Sequence, residues 1–296
     1  MKGATLSCAH SLYERIFMRA AFALVVIVST PRSLNVHVIP APNGLARIVD
    51  LSFLTDPATL VAYHTALVIV MGLYLARFLV WLALPIALWI NVSVNAVANS
   101  QGAIQHSVQI VSLVLLAQTA AHYYGLWLRW RGGTAESSIE DRAIWWSQQT
   151  VAAVYLVTGV TKLIVTHGTW IFQARFVGVQ ILKTAYQAYY DRLDPSGLEA
   201  QLSIAQFAAA HGAIVALIAG TGLLLELLAP LMLLGRRWAL ALGCSFLLFH
   251  VSIDRVMHLR FVYHQLLVLI YMVDPVYWIV AFVMALPRLR QRFKKI

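Results

Sequence analysis

The sequence predicts an all-α fold, a polytopic transmembrane helical bundle of about eight spans, and composition and pattern both point there. The 296 residues are 60% hydrophobic and only 11% charged. Soluble domains carry about a quarter charged residues and about 45–50% apolar ones. Mean hydropathy is +0.75. Apolar runs of the length a helix needs to cross the hydrocarbon core, about 20 residues, recur along almost the whole chain. Disorder, a collagen helix and a disulfide scaffold are excluded. The two cysteines, Cys8 and Cys244, lie in or beside apolar stretches and form no disulfide framework. A net charge of +10 on so apolar a chain fits membrane topology better than nucleic acid. Membrane lipid is therefore an expected partner and nucleic acid is not.

The first span, 14–30, is short, and Lys2 and Arg15 give it some likeness to a signal peptide. Glu14 and Arg19 interrupt its flanks, and no A-x-A-like site precedes Pro31, so it reads as a retained helix. The runs 58–76 and 78–98 are separated only at Arg77. Spans at 104–128, 143–166, 207–234, 238–253 and 260–286 follow. No internal repeat is visible, and 1–296 reads as a single transmembrane domain.

With eight spans, fourteen Lys and Arg residues fall on one side, including Arg15, Arg19, Arg77, Arg129 and the C-terminal group from Arg288 to Lys295. Seven fall on the other, and Lys162 alone is left within a span. Positive residues favour the cytoplasm, so both termini are expected there. Eight of the ten histidines then sort to the outer half: His37, His64, His106, His167, His211, His250, His258 and His264. His10 and His122 lie toward the cytoplasm. Chemistry is accordingly sought in the outer half of the membrane.

Lys162 is the most informative residue, roughly 6 Å inside the outer end of its span by helical rise. A lysine at mid-membrane costs about 2.5–3.5 kcal/mol, and less near an interface. Desolvation disfavours the ammonium and makes a free amine available as a base or nucleophile. Snorkelling to the headgroups is an equal alternative. By the same rise His106 lies roughly 3 Å inside that surface and His250 roughly 4.5 Å, so the three could occupy one layer, whether or not they face one another. Imidazole both donates and accepts hydrogen bonds, which suits a quinone or phenolic oxygen. Taken singly, each is more simply an interfacial histidine bonded to a carbonyl. Glu226 lies roughly 12 Å from the cytoplasmic end of its span, away from that layer. Helix packing, with Glu226 protonated or paired near the Pro230 break, is its expected role, and Asp274-Pro275 reads as a kink or second break.

A metal site is not predicted. His250 and His258 are eight apart and His258 and His264 six apart, so neither pair shares a helical face as an i, i+4 pair does. The 167–203 segment interleaves Trp170, Tyr186, Tyr189 and Tyr190 with Arg175, Lys183 and Arg192. That mixture suits an interfacial lid or, equally, an ordinary connector. No P-loop, G-x-G-x-x-G or G-x-S-x-G is present, which leaves nucleotide and serine-hydrolase chemistry without support.

The run Tyr155-x3-Gly159-x2-Lys162-Leu163, followed by Trp170, resembles the Y-x3-G-x2-K-L…W signature of vitamin K-dependent gamma-carboxylase and its bacterial relatives, the HTTM-domain proteins. Glu226-x3-Pro230, Arg236-Arg237 and Phe249-His250 resemble a second segment of that family, and Gln105-His106-Ser107 resembles its Asn-His-Ser. The resemblance covers roughly residues 10–285. It implies an enzyme that uses a reduced naphthoquinone (vitamin K-like) and oxygen to generate a strong base for carboxylation or a related reaction. It makes Lys162 the base that deprotonates the hydroquinone and gives His106 an assisting catalytic role. His250 lies near the quinone in that family, and Trp170 and Tyr155 join it as cofactor-binding candidates. It also implies a bacterial inner-membrane location with the site facing away from the cytoplasm. The chain stops soon after its last span, without the carboxylase's large lumenal domain and paired cysteines, so another peptide, protein, lipid or quinone-derived substrate is expected. The competing class is a noncatalytic membrane subunit or maturation factor that binds a partner protein through its spans. A transporter is weaker, for want of an inverted repeat.

Overall fold

The computed structural model describes residues 10–34, 36, 38–102, 104–132 and 136–285, with side chains left out at 136–138, 175 and 192. Lys2, Cys8, His37 and the basic group from Arg288 to Lys295 lie outside the described residues, as do the side chains of Arg175 and Arg192. The described chain is helical, with no strand among its residues. Helices form at all eight expected places. Six stretches are long and apolar enough to cross a membrane: Pro57–Leu75, Val80–Asn99, Ile139–Val165, Gly212–Leu234, Arg236–Met257 and Val262–Ala285. This is a membrane protein. The other two places hold α1 (Leu12–Ser29) and α4 (His106–Trp130). Glu14, Arg15 and Arg19 crowd the short α1, while Gln109, Ser112, Gln118, Thr119 and His122 make α4 the more polar helix.

The chain divides into two compact units, Met1–Val151 with Leu269–Ile296, and Ala152–Val268. In the first unit, Ser11 caps α1 by accepting from Glu14 N–H, and the Glu14 carboxylate accepts in return from Ser11 N–H at 2.7 Å. One face of α1, carrying Met18, Phe22, Val25, Val26 and Ser29, is buried at helical spacing. Asp56 caps α2 (Pro57–Leu75) through Thr59, and those hydrogen bonds hold its carboxyl below the usual aspartate range. The break at Arg77 is sharp because Arg77 and Leu79 both adopt left-handed backbone, at φ 60° and 48°, before α3 (Val80–Asn99) starts. Helix α2 packs on α3 and α3 on α4.

Two buried amides tie this unit together. Asn91 on α3 donates to Thr30 Oγ1 at 2.8 Å and accepts from Ser112 Oγ on α4 at 2.7 Å. Gln118 on α4 accepts from Tyr74 O–H at 2.8 Å and donates to the Tyr271 hydroxyl at 2.7 Å and to Ser147 at 3.2 Å. The polar atoms of both amides thereby find partners, as burial demands. A π-helical turn, Leu269–Val273, carries Tyr271, and Asp274 ends it at φ 48° before α12 (Pro275–Ala285). That is the break expected at Asp274-Pro275.

The second unit begins within α5 (Glu136–Val165). Its 167–203 segment is helical: a four-residue turn α6 (Trp170–Gln173), a 3₁₀ turn Ala174–Phe176, α7 (Val177–Arg192) and the start of α8 (Leu198–Ala210). Helices α7 and α8 pack around Ile181, Ala205 and Ala208, with Gly197 at φ 82° leading into α8. Helix α9 (Gly212–Leu228) gives way to 3₁₀ geometry over Ala229–Leu234, where Pro230 cannot donate. Helices α10 (Arg236–Met257) and α11 (Val262–Val268) complete the unit.

Candidate functional site

Tyr155, Gly159 and Lys162 occupy one stripe of α5, at i, i+4 and i+7. Each has a distinct partner in the second unit. Gly159 brings α9 close: a Cβ there would lie 3.1 Å from Glu226 Cβ and 3.2 Å from a Leu227 methyl. One turn on, Lys162 Nζ donates to both carboxylate oxygens of Glu226, at 2.6 and 2.8 Å. The same ammonium sits 4.9 Å from the Trp170 ring centroid, a cation–π contact. The Glu226 side chain is 7% exposed and that of Lys162 28%. The lysine is therefore neither snorkelling nor bare: a two-point carboxylate and an indole face hold it.

This corrects the expectation for Glu226. Helical rise counted from level span ends sets it away from Lys162. Instead α6 and the 3₁₀ turn after it pack against α9, with Ile171 beside Gly220. The end of α5 thus meets α9 near its C-terminal end rather than its start. A lone lysine in one apolar run and a lone acid in the next were a legible signal, because intramembrane charges pair with one another.

Two turns back along α5, Tyr155 stacks on Phe246 of α10, with ring centroids 4.0 Å apart, and its hydroxyl is 2.8 Å from His250 Nε2. His250 is 5% exposed. Phe249, Phe261 and His264 surround its ring at centroid distances of 5.8, 5.2 and 5.9 Å. His264, also buried, was legible only as one outer histidine among eight. Whichever of Tyr155 and His250 donates, His250 Nδ1 is left buried with no hydrogen-bond partner among the described residues. Such an orphan calls for a reason. A ligand oxygen would satisfy it, and the aromatic rings around it suit a flat ring system. In chemistry, though without a cavity beside them among the described residues, these side chains suit a quinone-like group.

Lys162, Trp170, Tyr155 and His250 thus all belong to the second unit. His106 belongs to the first, exposed at the first position of α4, where Gln105 N–H donates to Asn99 Oδ1 at 2.8 Å. In that unit His10, Glu14 and Asp274 each offer a ligand atom within 4.8 Å of one another. The Glu14 carboxylate already accepts in its capping box and that of Asp274 from Tyr277 N–H. The chain matches no family model and gives no significant match to a curated protein or a solved structure.

Proposed function

We propose that this chain is an integral membrane enzyme of the gamma-carboxylase-like HTTM kind, acting on or with a reduced quinone. The observation that carries this reading is a proton-handling pair, Lys162 and Glu226, on the α5 stripe that also holds Tyr155 against a half-satisfied His250. A reduced naphthoquinone would supply, together with oxygen, a base stronger than any side chain. Lys162 gripped as an ammonium cannot accept a proton, so it serves as base only after passing one to Glu226. Glu226 is the proton's temporary holder, and its two short contacts make that transfer local. His250 and Tyr155 orient the ring oxygen through Nδ1, and Trp170 screens the ammonium from lipid. The resemblance adds His106 as an assisting group and a bacterial inner membrane, and the distribution of Lys and Arg adds cytoplasmic termini. The acceptor on this reading is a peptide, protein or lipid.

A second reading has its own observation. The same pair links α5 to α9, and a linkage of that kind equally suits a noncatalytic membrane subunit that binds a partner protein through its spans. Mass spectrometry separates the two. The full chain in lipid nanodiscs is given reduced naphthoquinone and oxygen, alongside Lys162→Ala, Glu226→Gln, Tyr155→Phe and His106→Ala. Quinone epoxide from wild type, lost in folded Lys162→Ala, supports the enzyme. No epoxide from wild type that demonstrably binds the reduced quinone overturns it in favour of the subunit.

A further inference from the structure

The first unit holds a cavity of about 200 Å³. It is several times the roughly 30 Å³ share of one water molecule. It sits where the start of α1, the α2–α3 turn, the last turn of α4 and the start of α5 converge. Arg15, Arg19, Arg77 and Arg129 line it, with Glu140 as the one carboxylate in its wall among the described residues. Arg19 and Arg77 share Glu140, and Arg15 pairs with Asp141 at 3.1 Å. Among the described residues, four guanidiniums thus face two carboxylates, an excess of two positive charges around the cavity. Arg15 and Arg19 are only 18% and 14% exposed, while Arg77 and Arg129 stay open to an incoming anion. A second observation points the same way: Arg15 Nε is buried without a hydrogen-bond partner among the described residues.

The remaining wall is divided by chemistry. Tyr74, Gln118, Tyr271 and His122 add polar atoms, while Met18, Val80, Trp81 and Leu126 make the rest apolar. His122 Nδ1 lies 2.9 Å from the Gln118 carbonyl oxygen and so donates to it, which fixes the ring. An anion joined to an apolar body fits that division. Guanidinium forks match phosphate oxygens in pairs, and arginine keeps its charge at any physiological pH.

We propose that this cavity binds a phosphate ester, its phosphate held by Arg15, Arg19, Arg77 and Arg129 and its apolar part by the wall below. The inference concerns the first unit and stands apart from the quinone reading. A membrane lipid headgroup and a soluble phosphate ester share this chemistry, and the test separates them.

The full chain, purified in a neutral maltoside detergent, is titrated with short-chain phosphatidic acid, with phosphatidylcholine of equal chain length, and with inorganic phosphate. Tm and Kd are read. Phosphatidic acid should raise Tm, phosphatidylcholine should not, and added salt should weaken binding. A rise with phosphatidic acid alone assigns a lipid headgroup, whereas an equal rise with inorganic phosphate assigns a soluble ester. Arg19→Gln also rearranges the ion pairs at Glu140, so Arg129 is the variant of choice, being in no ion pair among the described residues. Arg129→Gln should weaken binding about tenfold, the loss of one charge-assisted contact. Arg129→Lys, which keeps the charge without the fork, should fall between. Equal effects of phosphatidic acid and phosphatidylcholine, or full affinity in Arg129→Gln, overturn the proposal.

Discussion

The two units handle buried charge in different ways. At one end of the first, Glu140 serves the guanidiniums of Arg15, Arg19 and Arg77, and Arg15 also pairs with Asp141. In the second, Lys162 and Glu226 have each other, with Trp170 as the only further contact to the ammonium among the described residues. A network redistributes when one member is lost. A lone pair strands the survivor, and a stranded charge in an apolar surrounding is the costly outcome. The lesson is that the isolated pair is the more sensitive and the more readily switched, which is what a proton-transfer site requires.

The largest expected effect comes from breaking that pair. Glu226→Leu should destabilise the chain by about 3–5 kcal/mol, whereas the double variant Lys162→Met with Glu226→Leu should recover most of the loss. Reversible unfolding in mixed micelles, analysed as a double-mutant cycle, would show this. A single variant no worse than the double would mean that the pair is solvated. Next is the approach that sets the pair. Gly159→Ala places a methyl against Glu226 Cβ and Leu227, and overpacking of this kind costs about 1–3 kcal/mol. Alanine's better helix propensity returns up to about 1 kcal/mol. A net loss, measured in the same micelles, is expected; a net gain would mean that α9 yields freely.

Tyr155→Phe is the third. It keeps the stack on Phe246 but leaves both ring nitrogens of His250 without a partner, a loss of about 1–2 kcal/mol. On the enzyme reading, turnover should fall more than stability does. The smallest effect is expected in the network. Arg19→Gln leaves Glu140 with Arg77 at 2.8 Å, so its cost should stay near about 1 kcal/mol, and a loss as large as that of Glu226→Leu would erase the contrast.

Composition and pattern alone determined that this is a helical membrane protein, because within a bilayer every backbone polar group must bond inside its own segment, and a helix does that without distant partners. They also located the breaks at Arg77, Pro230 and Asp274-Pro275 and singled out Lys162, since a lone lysine in an apolar run is conspicuous in one dimension. Only the tertiary structure decided what Lys162 touches. Helical rise measures depth along one helix and says nothing of how two helices are offset, so Glu226, 64 residues away, was placed too far off. The Tyr155–His250 bond, the burial of His264 and the arginine-lined cavity likewise depend on which faces meet. A helix's period fixes its faces, and packing alone chooses their neighbours.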